Sequence, residues 1–143
     1  MPIYQAEIRT LIPHAGRMCL LDQVTHWDNR SIMCISNTHR DPGNPLRRQG
    51  RLSAVYAFEY GAQAAAVHGG LRARAAGAIA PWGYLAALRA GRLQVTRLDY
   101  IHLPLQICAR HLFGDAANTV YEFVLSAAAV LVAEGRVTIV ERA

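Results

Sequence analysis

Glu59 is the only formally charged residue between Leu52 and Leu71, and it sits in a mostly apolar, helix-compatible run, SAVYAFEYGAQAAAVHGG. An acid there is costly to bury without a partner or a task, so it is the first place to look for chemistry. Gln63 follows four residues later, on the same face of a helix. His39 is the stronger companion, because it stands where a predicted strand meets the loop HRDPGNPLRRQG, just ahead of that helix. Imidazole exchanges a proton near neutral pH, and a carboxyl group in a dry pocket can deliver one, so the two together would make an acid–base pair. The alternative is a helix–sheet hydrogen-bond network in which Tyr60, Gln63 or a histidine satisfies the carboxylate.

The elements that must position these residues follow from the pattern around them. A helix is predicted from about Ser53 to Val67, capped by Ser53, with Val55, Phe58, Ala62, Ala65 and Ala66 as its apolar stripe and His68-Gly69-Gly70 as its stop. Gly61 weakens such a helix by about 1 kcal/mol against alanine but permits close packing. Ahead of it, Pro13 and Gly16 suggest a short turn or helix leading into MCLLDQVTHWD, which pairs through Asp28-Asn29-Arg30 with the strand SIMCISNT at 31–38. Residues 39–50 hold two prolines and two glycines and read as an irregular loop. Extended segments are predicted at about 77–89, 93–98, 102–112, 118–132 and 135–141, with hairpin turns at Gly114-Asp115 and Glu134-Gly135. One helix and an antiparallel sheet able to wrap it, in a single domain over 1–143, is the simplest assembly of these parts.

Composition narrows the function classes. With 52% of its 143 residues hydrophobic and 17% charged, the chain can build a core without metals or disulfides. Cys19, Cys34 and Cys108 are odd in number and widely spaced, which suits a reducing compartment and small core residues. The N-terminal segment lacks a basic and then apolar signal pattern, and the longest apolar run, Phe123 to Ala133, is far short of the ~20 residues of a membrane helix. A cytoplasmic protein with no stable membrane insertion is expected. The net charge of +5 comes with no nucleic-acid motif, and its arginines are scattered apart from Arg40, Arg47, Arg48 and Arg51, so nucleic acid is not expected as a partner. No spacing of His14, His26, His68, His102 and His111 matches a metal motif, and phosphate-binding loops and a nucleophile elbow are absent. No bound metal or cofactor is expected. His68 reads as a helix-end residue, and His102 and His111 as strand-surface or core-edge residues.

At these residues the chain resembles the hotdog-fold 3-hydroxyacyl-[acyl-carrier-protein] dehydratases, and more closely the small dehydratase-like proteins of bacterial aryl polyene biosynthesis. The resemblance is carried by LIPHAGRMCLLDQV at 11–24, His39 ahead of DPGNPL, EYGAQ at 59–63 continuing into AAAVHGG, and the later YEF and EGR segments. It implies an α+β hotdog fold, a long central helix wrapped by a curved antiparallel β-sheet, working as a dimer with acyl tunnels at the subunit interface. It implies that His39 of one protomer acts with Glu59 of the other, supported by Gln63, with backbone N–H groups of Ser53 and Ala54 polarising the thioester carbonyl. The substrate would ride on the phosphopantetheine arm of an acidic acyl-carrier protein, guided by Arg47, Arg48 or Arg51; the alternative is a solvated arginine cluster. Fatty-acid dehydratases carry a compact His-Phe-Pro and Pro-Gly loop, whereas this chain has the longer HRDPGNPLRRQGRLSAVYAFE, which implies a reshaped carbonyl site and tunnel.

The chemistry expected is removal of the C2 proton by His39 and protonation of the departing C3 hydroxyl by Glu59, giving a trans-2-enoyl thioester. The competing expectations are a hotdog acyl thioesterase, with Glu59 activating water, and a weakly active structural subunit of a heterodimeric dehydratase. The pair itself would be a homodimer or a heterodimer with a related hotdog subunit.

Overall fold

Ser53 begins the helix as expected, its Oγ accepting the Val55 N–H at 3.3 Å. In the computed structural model, which describes residues 2–12, 18–78, 83–115 and 118–141, a 3-10 turn at Ala54–Tyr56 leads into helix α2, Ala57–Ala75. The helix therefore runs two turns past the predicted stop. Gly69 and Gly70 stay helical because the adjacent His68 is buried and bonded on both ring nitrogens, so tertiary contacts outweigh the low propensity of the glycine pair. The actual stop is Gly77, whose φ of 74° lets the Ala78 N–H reach Ala73 O (2.9 Å) and the Gly77 N–H reach Arg74 O (3.0 Å). Those two bonds form a Schellman cap.

Among the described residues, one antiparallel sheet of seven strands lies around this helix. Its members are β1 (Ile3–Tyr4), β2 (Gln23–Trp27), β3 (Ser31–Ser36), β4 (Gly83–Leu93), β5 (Leu105–Gly114), β6 (Asn118–Ala127) and β7 (Val130–Glu141), in the spatial order β1-β2-β3-β5-β6-β7-β4. A short helix α1, Gln5–Ile8, follows β1. Residues alternate between the two faces of β3 and β5, so Ile32, Cys34, Leu105, Ile107 and Ala109 point at the helix. The helix is covered on nearly every side from Tyr60 to Ala65, which explains its alanine-rich composition. A Cβ on Gly61 would overlap the Phe123 ring, so the small residue permits the close approach anticipated for it. This is the α+β hotdog arrangement.

Several sequence expectations are corrected. The β2–β3 hairpin turns at Asp28 as expected, with Asp28 Oδ1 accepting the Arg30 and Ser31 N–H groups at 2.8 Å. The last hairpin, however, turns at Ala128-Ala129, not at Glu134-Gly135, which lie inside β7 opposite Val124 and Phe123. Segment 93–98 is not a separate strand: β4 ends at Leu93, and Thr96 to Leu98 bond the entry to the helix through Ala54 N–H to Thr96 O (3.0 Å) and Leu98 N–H to Leu52 O (2.8 Å). His68 is no helix-end residue. It is fully buried, its Nε2–H donating to Asp28 O (2.7 Å) and its Nδ1 accepting from the Tyr121 hydroxyl (2.6 Å). Pro13, His14 and Gly16 lie outside the described residues.

Two predictions follow from these features. Ala128 and Ala129 have φ of 49° and 67°, a left-handed conformation that costs about 1–2 kcal/mol per residue with a Cβ. Asn-Gly suits such a turn, so A128N/A129G should raise stability by about 1–2 kcal/mol, read as a higher urea midpoint with an unchanged slope. Burial lowers the His68 pKa from 6.5, and the nearby Arg72 and His111 charges act the same way, while the bond to Asp28 opposes them. Below pH 6.5 the unfolded chain takes up a proton that the folded one resists, so stability should fall as the pH drops below that value. H68Q should flatten the pH dependence of the melting temperature even if the variant melts lower throughout.

Candidate active site

His39 reaches its position through the way β3 ends. Ser36 and Thr38 both donate their hydroxyls to Leu20 O, and Thr38 Oγ1 lies 2.7 Å from the Tyr60 hydroxyl on α2. Asn44 Nδ2 then donates to Thr38 O (2.9 Å) and to the Tyr60 hydroxyl (3.3 Å), so the loop is fastened to the helix from both of its limbs. Burial pushes the Tyr60 phenol up to about 12, which keeps it a neutral hydroxyl. A 3-10 turn, Thr38–Arg40, turns the next side chain, His39, fully inward.

The His39 imidazole is held by one bond. Its Nε2 lies 3.0 Å from Ile101 O, and because a carbonyl can only accept, the ring proton belongs on Nε2. Nδ1 keeps its lone pair and is the only buried side-chain nitrogen or oxygen among the described residues without a hydrogen-bond partner. Burial lowers the His39 pKa; the Ile101 and Leu103 carbonyls oppose that shift, and the Arg40 and Arg47 charges add to it. A neutral imidazole with a free, fixed lone pair is what a general base requires. Leaving it unsatisfied costs about 1–3 kcal/mol, a reason to look for what completes it.

Arg47, expected to help dock a carrier protein, is engaged within its own loop. Its guanidinium donates to the carbonyls of His39 (2.9 Å), Asp41 (3.0 Å) and Gly50 (2.9 Å), closing the loop on itself beside the imidazole. Arg48 and Arg51 exchange backbone bonds of 2.8 and 3.0 Å across a tight turn at Gln49-Gly50 and both are exposed. Arg48 also donates to Pro45 O and Arg47 O, whereas the Arg51 side chain bonds no described residue.

Glu59 lies in the first turn of α2, half-buried, with no hydrogen bond or ion pair to any described residue. Neither neighbour expected to satisfy it does so, since Tyr60 faces the His39 loop and Gln63 faces the N-terminal segment. Gln63 Oε1 accepts the Leu20 N–H (2.9 Å) and its Nε2 donates to Met18 O (2.7 Å), so both ends of its buried amide anchor the chain entering β2. Within one chain His39 and Glu59 share no hydrogen bond. Of the two backbone donors expected, the Ala54 N–H already serves Thr96 O, and Ser53 acts as the cap.

Sequence reasoning missed the residues that hold Ile101 in place. Asp99 accepts the Leu52 N–H (2.9 Å) and pairs with Arg97 at 2.5 Å, and the guanidinium holds its carboxyl well below the usual carboxylate range. Arg97 also lies 3.7 Å over the Tyr100 ring. The motif RLDY at 97–100 was the available signal, a basic residue two positions from an acid and followed by an aromatic. Among the described residues no group of three or more His, Cys, Asp or Glu side chains is arranged to hold a metal ion, and no helix is long and apolar enough to cross a membrane.

The arrangement has known counterparts. Residues 6–143 match the family model ApeP-like, described as ApeP dehydratase. A chain of the dehydratase heterocomplex ApeI:P from Xenorhabdus doucetiae is 26% identical and superposes with a TM-score of 0.86, covering 95% of this chain and 91% of that one. AziG of S. sahachiroi (17% identity, TM-score 0.62, 92% and 97% covered) and a hypothetical thioesterase with coenzyme A from Streptococcus pneumoniae (11%, 0.57, 83% and 84%) share the fold. No curated protein matches the sequence. The match over nearly the whole chain, on a helix wrapped by a single antiparallel sheet, places this protein in the ApeP-like dehydratase family, the hotdog-fold hydro-lyases of aryl polyene biosynthesis.

Proposed function

We propose that this chain removes water from a 3-hydroxyacyl thioester carried on the phosphopantetheine arm of an acyl-carrier protein, with His39 as base and Glu59 as acid. The observation that carries this reading is the buried Nδ1 of His39, fixed through Ile101 and, like Glu59, without a partner among the described residues. A buried imidazole lone pair and a half-buried carboxyl of complementary function on adjoining elements suit a site that a second subunit completes. The likeness to a chain of a heterocomplex supports a two-subunit active form, with this chain pairing either with itself or with a related hotdog subunit.

In the reaction, Nδ1 takes the C2 proton as the thioester carbonyl becomes enolate-like. Backbone N–H groups near the start of the helix, with Ser53 the better candidate now that the Ala54 N–H is engaged, stabilise that oxygen. Protonated Glu59 gives its proton to the C3 hydroxyl, the C3–O bond breaks, and water leaves behind a trans-2-enoyl thioester. One proton enters the imidazole and one leaves the carboxyl, so the pair resets by passing a single proton back. Neither a metal nor a redox group takes part in these steps. Arg48 and Arg51 remain the exposed cations by which an acidic carrier could be steered; Arg47 contributes by holding the loop.

The test is incubation with carrier-bound 3-hydroxyacyl substrates, with and without a related hotdog subunit, followed by intact-protein mass spectrometry. Wild type should yield the enoyl product, and H39A and E59A should each lose about 10²- to 10⁴-fold in rate. Formation of free acid instead would make the chain a thioesterase. Turnover that needs the second subunit and survives both substitutions would make it a structural partner. Because the His39 pKa is lowered, the base stays deprotonated below pH 6.5, so the acidic limb of kcat/KM should fall below that value.

A further inference from the structure

We infer that Asp99 is a positioning residue for dehydration, holding the His39 imidazole and the Ser53 N–H in one fixed geometry through a single turn of the chain. The inference rests on the reading of His39 as base and adds a residue that acts on it through Ile101.

Residues Leu98 to Ile101 form a tight turn, closed by the Ile101 N–H on Leu98 O (3.0 Å). Its last residue presents the carbonyl that receives the His39 Nε2–H (3.0 Å). Its first residue faces the entry to the helix. There the Leu98 N–H donates to Leu52 O (2.8 Å), and the Ala54 N–H donates to Thr96 O (3.0 Å). Between those two bonds Ser53 stands opposite Arg97 as a non-hydrogen-bonded antiparallel pair. The Leu52 carbonyl and the Ser53 N–H belong to one planar peptide and point in opposite directions, so fixing the carbonyl on Leu98 aims the N–H away from the turn. No described residue accepts that N–H. One turn thus sets the direction of both the base and the carbonyl donor.

Asp99 holds this turn in place. Its side chain is only 6% exposed; Oδ1 accepts the Leu52 N–H (2.9 Å) and Arg97 Nε–H (3.1 Å), and Oδ2 accepts from Arg97 Nη2 (2.5 Å). With Leu98 on its carbonyl and Asp99 on its N–H, Leu52 is gripped from both sides. Arg97 also donates to the Tyr100 hydroxyl (2.7 Å), tying the carboxylate to the next residue of the turn. An ionised carboxylate suits three donors because it only accepts. Asparagine keeps the shape but sets its NH2 group against the Leu52 N–H or the guanidinium, donor against donor.

The experiment follows the His39 imidazole N–H by NMR of 15N-histidine-labelled protein. Alongside it, kcat and KM are measured with a carrier-bound 3-hydroxyacyl substrate and, where turnover needs it, a related hotdog subunit. The His68 Nε2–H, held by Asp28 O, reports on folding, and H39A identifies the other signal. In D99N the His39 N–H should exchange with water at least about tenfold faster while the His68 N–H keeps its protection. kcat should fall about 10- to 100-fold with KM within about threefold, and D99E should recover part of the loss. If D99N loses the His68 signal, and so the fold, R97K should show the same two changes more weakly, since it gives up the fork but keeps the charge. Unchanged His39 exchange in a folded variant would overturn the inference, as would wild-type kcat in D99N where H39A is inactive. Faster exchange with full activity in both D99N and H39A would instead overturn the base assignment on which the inference rests, so the two failures are distinguishable.

Discussion

The contact between the Tyr60 hydroxyl and Thr38 Oγ1, 2.7 Å long and part-buried, joins the two elements that hold the candidate chemical groups. Tyr60 adjoins Glu59 on the helix, and Thr38 adjoins His39 at the end of β3. Because Thr38 Oγ1 also donates to Leu20 O and the Tyr60 hydroxyl also accepts from Asn44, the bond is one member of a connected network that fixes the helix and the loop relative to one another more firmly than its own modest net energy suggests. Asn44 adds a third member to the network, and Arg47 closes the loop from outside by binding three of its carbonyls. The long, proline-containing loop is therefore an ordered frame around the imidazole.

Against that satisfied frame the exceptions stand out. Leu20 O, Thr38 O, the Gln63 amide and both nitrogens of His68 all have partners, while His39 Nδ1 has none among the described residues. Two buried histidines are thus put to opposite uses. His68 ties the middle of the helix to the β2–β3 turn and to β6, whereas His39 is tied only at Nε2 and keeps a lone pair available. The difference comes from backbone geometry. Asp28 O and Tyr121 bracket His68, but among the described residues only the Ile101 carbonyl bonds the His39 ring, and the Arg97–Asp99 pair beside it braces that loop.

The packing of helix against sheet and the charge at the sheet edge are linked in the same strands. Phe123 of β6 sits against Gly61 and edge-on to Phe58 at a centroid separation of 6.0 Å, which brings the curved sheet close to the helix. On the opposite face of those strands, cross-strand charges alternate from Arg110 through Glu122 to Arg136 and Arg89, where the alternation fails. The inner face is thus packed within the chain, while the outer edge carries charge that no described residue pairs with.

The sequence by itself determined the central helix, its Ser53 cap, the β2–β3 hairpin, the wrapping sheet and the two candidate chemical groups, because each is written in local propensity, alternation or a motif. Where it misled, a distant contact outweighed a local signal: the burial of His68 carried the helix through Gly69-Gly70, and the long β6–β7 ladder held Glu134-Gly135 in a strand and left two alanines to make the turn. Only the tertiary structure decided which polar groups were engaged. Gln63, Arg47 and Ala54 looked available in sequence, yet they are committed to Met18 and Leu20, to the loop carbonyls and to Thr96. Hydrogen-bond partners distant in sequence leave no trace in spacing, so the difference between an engaged amide and a free lone pair becomes visible only when the chain is folded.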